Sequence, residues 1–355
     1  MASYINKNYL ISDVVPAMIL GKDVHINGRV ALSEGLQLTA SLINRLKLWG
    51  ITSLFIREEL FDIQAITSPT SNIQQQFFDT YANTVNIIKN AFENIRFFNE
   101  VAIKDLTLIA NSHITPLSNA VGVINHLHMV RRQDDYTFHH SINVAVISGI
   151  LGRWLGYSEK DINELVLTGL LHDSGKTKIP LTILNKPAKL TKSEMEIMKL
   201  HSVHGYMLIR ALPEVSQQVS YGVLQHHERF DGSGYPLKIK ADKIQPFARI
   251  IAVADIYDAM TSDRVYRSKL TPFTVVELMV EEMYEKLDPR ICSVFLNNVR
   301  DYFIGNIVKL SDGREAEVVH MGHFIATRPT VRVIEGEFID LEKRQDISIT
   351  ALIKA

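Results

Sequence analysis

The sequence has a single cysteine, Cys292. One thiol closes no intramolecular disulfide and builds no cysteine-based zinc site, so nothing here points to an oxidising compartment. Cys292 itself reads as a small buried apolar residue. A charge excess of one sign is also missing. The formal net charge is -1, too little to gather a polyanion, which sets aside coating of DNA or RNA. A small anionic ligand would have to be held by a few local Lys and Arg residues. Long hydrophobic runs are lacking too: residues 142–151 form the longest, and it contains Asn143 and Ser148 and is about half a membrane span. The N-terminus, MASYINKNYL, has neither the basic nor the apolar region of a signal peptide. The expected location is therefore cytoplasmic, without a membrane partner. Absent as well are a Walker A loop, H-E-x-x-H, G-x-S-x-G, a dinucleotide fingerprint after a strand, internal repeats and low-complexity tracts.

What is present suits a globular protein. With 355 residues, 46% hydrophobic and 22% charged, the chain can bury a sizeable core spread over two or three domains. The expected fold is mainly α: an all-helical domain with a small N-terminal α/β unit and a small C-terminal β appendage. In the N-terminal unit, residues 1–66, Asn27-Gly28 between DVHI and RVAL is a hairpin signal. Thr39 opens a short amphipathic helix through Leu42, Ile43, Leu46 and Leu48 that Gly50 closes, and residues 51–56 read as a strand. The segment TSPTSN, 67–72, is a linker signal. Beyond it, Phe77, Tyr81, Val85, Ile88, Phe92 and Ile95 recur at helical spacing. That predicts a long helix packed on its own domain or on a second copy of the chain, within a helical linker over 67–114. Residues 115–300 are almost wholly helical in pattern, and 301–355 read as short strands with tight turns.

Seven of the thirteen histidines fall between positions 139 and 227. In LVLTGLLHDSGK, His172 and Asp173 end a run of buried-helix residues; an ionised carboxylate there requires a cation or a neighbouring amide as partner. In ARIIAVADIYDAMTSDR, Asp255 and Asp258 lie three apart on one side of an apolar helix. In QHHERFDGSGYP, His226 and His227 would point about 100° apart on a helix. They could serve one metal and a flanking substrate or second-metal position. His140, in YTFHHSINVAV, and His201, in MKLHSVHG, add imidazoles on separate segments. Imidazoles and carboxylates without thiolates suit Fe, Mn or Zn. Two ions about 3.5–4 Å apart would clamp the oxygens of a phosphoryl displacement. From the residues alone, the chain is an all-helical metal hydrolase with phosphate chemistry.

These segments resemble the HD-GYP family of metal-dependent phosphodiesterases, in order, from YTFHHSINVA through HDSGKTKIP, ILNKPAKLT with MKLHSVHG, and HHERFDGSGYP to VADIYDAMTSDRVYR. The resemblance implies a helical fold, two divalent metal ions (Fe or Mn, with Zn as the alternative) and hydrolysis of cyclic di-GMP to pGpG, and on to GMP, in bacterial signalling. It implies that Asp173 bridges the two metals and that a hydroxide held between them attacks phosphorus in line. His140, His172, His201, His226, His227 and Asp255 complete the ligand set. Lys176, Arg264 and Arg267 would hold substrate phosphate, and Asp258 would orient a ligand. His139 and His204 are read as ordinary. Family members that hold a third metal carry glutamate four residues before the first ligand histidine. Tyr136 stands there, which implies two metals and weakens the case for His227. After Gly234-Tyr235-Pro236, LKIKADKI lacks the glycine the family often shows, which bears on loop shape. The alternatives are a low-turnover nucleotide sensor and a phosphohydrolase of cyclic GMP-AMP, (p)ppGpp or a deoxynucleotide.

Overall fold

The computed structural model describes residues 4–26, 29–59, 71–120, 122–130, 136–262, 270–283, 285–322, 328–334 and 336–354. Its contacts divide the chain into two compact units, Met1–Thr70 with Phe303–Ala355, and Ser71–Tyr302.

The first unit contains strands β1 (Tyr4–Leu10), β2 (Ile19–Leu20), β3 (Val24–Ile26) and β4 (Arg29–Leu32), helix α1 (Ala40–Leu48) and strand β5 (Ser53–Glu59). Strand β5 lies between β1 and β2, and β3 pairs with β4, Ile26 opposite Arg29. The hairpin residues Asn27 and Gly28 lie outside the described residues. Helix α1 starts where the Thr39 hydroxyl accepts from Leu42 N–H at 3.3 Å, the expected N-cap. It stops at Gly50, whose φ of 76° lets Ile51 N–H return to the Leu46 carbonyl at 3.1 Å, a glycine-closed helix end. From the C-terminal segment, β6 (Ile307–Leu310), β7 (Glu315–His320), β8 (Thr330–Val333), β9 (Phe338–Asp340) and β10 (Ile349–Lys354) form an antiparallel sheet in the order β10-β6-β7-β8-β9. Although far apart in sequence, the two segments share one unit. Phe338 packs against the core of Val14, Met18, Leu20, Leu46 and Ile56.

The second unit is helical. It runs through α2 (Ser71–Phe98), α3 (Ile103–Ile109), a π turn (Ala110–Ile114), α4 (Thr115–Leu117), α5 (Val123–Met129), α6 (Tyr136–Trp154) and α7 (Glu159–Leu171). After a 3-10 turn (Ser174–Lys178) come α8 (Leu181–Leu184), α9 (Lys192–Lys199), α10 (His201–Ile209), α11 (Gln217–Gln225), α12 (Pro246–Thr261), α13 (Pro272–Met283) and α14 (Pro289–Val299). Helix α6 is buried on all sides from His140 to Gly152, which explains why its sequence is apolar without a polar stripe. It packs on α7 and α12, and α11 packs on α10, α7 and α12. In α2, the expected apolar face of Phe77, Tyr81, Val85, Ile88, Phe92 and Ile95 is buried within the chain itself, with α6 among its neighbours. Cys292 is buried too, and burial pushes its thiol up to about 12. Among the described residues no helix is long and apolar enough to cross a membrane.

Candidate metal centre

Five helical segments bring the candidate ligands to one buried point. Helices α6 and α7 meet closely because Gly169 has no side chain: a Cβ there would stand 2.7 Å from the Ala145 Cα. Helix α7 then ends at Leu171, and the chain turns sharply through His172 and Asp173 into the 3-10 turn. Gly175 lets that turn lie against α10, since a Cβ would collide with the backbone of His201 and Gly205. The two glycines thus set the spacing of His140, His172-Asp173 and His201.

His172, His201 and His226 share one arrangement. Each Nδ1 lies 2.7 Å from the carbonyl three residues earlier, of Gly169, Met198 and Val223 respectively. A carbonyl only accepts, so Nδ1 carries the proton and Nε2 of the neutral ring is a bare lone pair. Those lone pairs converge. The Nε2 atoms of His201 and His226 are 3.3 Å apart. His201 Nε2 is 3.4 Å from Asp173 Oδ1, and His172 Nε2 is 3.3 Å from Asp173 Oδ2. Neither His172 Nε2 nor Asp173 Oδ1 has a hydrogen-bond partner. Acceptors gathered against acceptors out of water are costly unless a cation lies among them.

His140 is held from both sides. Its Nδ1 is 2.7 Å from Asp258 Oδ2 and its Nε2 is 3.1 Å from Asp255 Oδ1. Helical spacing of three thus serves two roles, Asp255 facing the cluster and Asp258 fixing the ring from behind. Asp258 Oδ1 also accepts from Asn143 Nδ2 at 2.6 Å. One ligand atom from each of Asp173, His201, His226 and His227 lies within 4.8 Å of the others, and the same holds for His140, His172 and Asp255. Asp173 spans both groups: its second oxygen, Oδ2, is 3.7 Å from His140 Nε2. The two groups offer imidazole nitrogens and carboxylate oxygens only, a donor set that fits divalent transition ions.

His226 and His227 reach the same group, contrary to the divergence expected of neighbours on a helix. Helix α11 ends at Gln225, so the 100° step does not apply beyond it. The two ring centroids are 4.1 Å apart, and His227 is partly buried beneath Tyr235, centroids 4.7 Å apart.

The charges follow from this packing. Burial works to lower the His140 pKa, but hydrogen bonds and attraction from Asp255 and Asp258 outweigh it and raise it to about 9. Burial brings His201 down to about 4, against the opposing pull of Asp173, and holds His226 and His227 well below the usual imidazole range. Burial would raise Asp173, yet the Lys176 ammonium beside it holds it well below the usual carboxylate range; His140 does the same for Asp255.

Lys176 Nζ lies 2.6 Å from Asp173 Oδ2 and remains partly exposed. Its backbone is braced from α2: Arg96 donates to the carbonyls of Lys176 and Ile179 at 3.0 and 3.3 Å. Tyr136, stacked at 11° on the His140 ring with centroids 5.5 Å apart, occupies the position where a third-metal glutamate was sought. His139 and His204 belong to neither group. Arg264 and Arg267 lie outside the described residues. Three supporting residues escaped sequence reasoning. In the sequence Asn143 reads only as a polar break in an apolar run, and Tyr81 only as part of an apolar stripe. Glu228, buried, accepts from the backbone N–H groups of Leu237, Lys238 and Ile239 at 2.6, 3.1 and 3.2 Å. It thereby fixes the loop after Pro236, where this sequence has no glycine. A buried carboxylate next to the paired histidines was its available signal.

Residues 123–291 match the HD domain family. A cyclic di-GMP phosphodiesterase of Pseudomonas aeruginosa is 36% identical over 204 residues, 58% of this chain and 49% of the relative. A cyclic di-GMP phosphodiesterase of Thermotoga maritima is 37% identical over 177 residues, 49% of this chain and 48% of the relative. A 3'3'-cGAMP-specific phosphodiesterase of Vibrio cholerae is 35% identical over 176 residues, 49% of this chain and 41% of the relative. The chain therefore spans about half the length, or less, of these curated relatives. Among solved structures, an HDG"Y"P protein from Bdellovibrio bacteriovorus aligns with a TM-score of 0.53 over 84% of this chain and 100% of that one, at 18% identity, a likeness of fold.

Proposed function

We propose, from the match of residues 123–291 to the HD domain family, that the chain is a metal-dependent phosphodiesterase that hydrolyses cyclic di-GMP to pGpG, and on to GMP. The observation that carries this reading is the convergence of buried imidazole nitrogens and carboxylate oxygens in two adjoining groups, with Asp173 reaching both. His140, His172 and Asp255 would hold one divalent ion, and His201, His226 and His227 the other, with Asp173 shared. When bound, the ions supply Lewis-acid activation of water and neutralise phosphate charge. Iron or manganese suits this nitrogen and oxygen set, zinc being the alternative.

In the reaction a water oxygen bonds to phosphorus as the P–O3′ bond breaks, and the proton ends on the 3′ oxygen. The chain's own residues prepare that step. Carbonyls of Gly169, Met198 and Val223 orient three imidazoles in advance, so no rearrangement is needed as charge develops. Lys176, partly exposed beside Asp173, brings an ammonium to a phosphate oxygen. Arg264 and Arg267 are assigned the remaining phosphate contacts from their sequence motif. Asp258 keeps the His140 ring aligned.

Cyclic GMP-AMP is the second substrate reading, favoured by the relatives from Vibrio cholerae that are named for 3'3'-cGAMP. The test is anaerobic purification, metal analysis and incubation with each dinucleotide, with products separated by chromatography. Two metals per chain with pGpG or GMP from cyclic di-GMP supports the proposal. Faster cleavage of cyclic GMP-AMP reassigns the substrate. Nucleotide binding without product reduces the protein to a sensor.

A further inference from the structure

The family match begins at residue 123, yet a buried chain of hydrogen bonds reaches the metal centre from α2, outside that segment. Tyr81 of α2 donates from its hydroxyl to Asn143 Oδ1 at 2.6 Å. Asn143, one turn beyond His140 on α6, donates from Nδ2 to Asp258 Oδ1 at 2.6 Å. The other oxygen of Asp258 accepts from His140 Nδ1 at 2.7 Å. Tyr81, Asn143, Asp258 and His140 are each 2% exposed or less.

We propose that Tyr81 and Asn143 are positioning residues of the metal centre, with the α2 hydroxyl setting the orientation of the Asn143 amide and through it the Asp258–His140 pair. This rests on the metal-centre reading above.

The direction of every link follows from what each group can do. An ionised carboxylate only accepts, so Asp258 must receive protons from both His140 and Asn143. The Asn143 amide therefore presents its nitrogen to Asp258 and its oxygen to α2. Tyr81 supplies the donor that oxygen needs. The hydroxyl is steadied on its other side: His139 Nδ1 is 3.2 Å away, and the His139 and Tyr81 rings stack with centroids 5.6 Å apart. Without the hydroxyl, the Asn143 oxygen is left in a buried site facing a bare ring edge. The amide can escape that only by rotating its nitrogen away from Asp258. Asp258 then loses a donor, and the ring whose Nε2 faces Asp255 loses its fixed partner. Groups at this remove from a metal typically change affinity by ~10–100-fold when they directly support a ligand, so the terminal link is expected to act more weakly.

The experiment uses the full chain, stripped of metal and titrated with Mn²⁺, with binding followed by calorimetry and by loss of the free-ion paramagnetic resonance signal. Four variants are compared with wild type: Tyr81→Phe, Asn143→Ala, the two combined, and Thr84→Val. Thr84 is a fully buried α2 residue whose hydroxyl donates to the Thr80 carbonyl, so its replacement tests general loosening of the helix. The expected results are a loss of about 10-fold, the lower end of that range, in affinity for one of two ions in Asn143→Ala, and about 3-fold in Tyr81→Phe. The double variant should be no weaker than Asn143→Ala alone, because the two residues act in series. Thr84→Val should bind as wild type does. Wild-type affinity in Tyr81→Phe, equal weakening in Thr84→Val, or multiplied losses in the double variant overturns the proposal while two ions in wild type leave the metal centre standing. Wild-type protein that takes up no ion overturns the metal centre itself, and the proposal with it. Should Tyr81→Phe fail to fold, Asn143→Ala against Thr84→Val gives the same comparison.

Discussion

Asp258→Asn is a nearly isosteric change whose effect follows from counting donors and acceptors. The carboxylate accepts from His140 Nδ1 at 2.7 Å through one oxygen and from Asn143 Nδ2 at 2.6 Å through the other. Asparagine has one accepting oxygen and one donating nitrogen. Whichever way the new amide turns, one donor faces another in a buried site. If the oxygen stays with His140, the loss is a hydrogen bond to a charged group on the Asn143 side, worth about 1.5–3 kcal/mol. If it turns to Asn143, the imidazole swings away from its clash and Nε2 leaves the direction of Asp255. Either way the support of one ligand is broken, and the affinity for one ion should fall ~10–100-fold, equivalent to about 1.4–2.7 kcal/mol. Mn²⁺ titration of the metal-free protein, with a thermal melt to establish folding, measures both quantities. A folded variant that binds two ions with wild-type affinity refutes the role given to Asp258.

Metal affinity should also fall with acidity. His140 has its pKa raised to about 9 in the metal-free protein, so an ion that takes its Nε2 must displace a proton at neutral pH. The affinity at that group should drop about tenfold per unit, or about 100-fold from pH 8 to pH 6. His201, held at about 4, is already neutral there and adds no slope. Calorimetry in buffers of different ionisation enthalpy counts the released proton, and a flat profile would sink the assignment. Lys176→Ala should keep both ions while turnover falls on the order of 10²-fold, the scale of a lost charge-stabilising group; unchanged turnover on cyclic di-GMP would remove the lysine from the reaction. Glu228→Ala leaves three backbone donors of residues 237–239 without their shared acceptor. Faster proteolysis or hydrogen exchange confined to that loop is expected, with metal stoichiometry retained; protection equal to wild type would show that the loop does not depend on this carboxylate.

Much of the molecule was legible because its signals are local. Thr39 and Gly50 mark both ends of α1 through backbone geometry that neighbouring residues satisfy. His172-Asp173 advertised itself as charge embedded in an apolar helix, a combination that demands a partner whatever the fold. The spacing of Asp255 and Asp258 likewise announced two carboxylates on one side of a helix. What stayed hidden depends on partners far away in the chain. Asn143 lies in an otherwise apolar run, and nothing near it tells that its donor and acceptor are Tyr81 and Asp258, 62 and 115 positions distant.

By itself, then, the sequence determined the helical class, the apolar faces and the residue types that cluster, because periodicity and the cost of burying charge act over a few residues. Only the tertiary structure decided which imidazole joins which group, that His226 and His227 converge once α11 ends, and that the Tyr81 hydroxyl of α2 meets the Asn143 amide. Those outcomes turn on ångström-scale approach between segments distant in sequence. Gly169 and Gly175 permit that approach, and the pattern of single helices does not encode it.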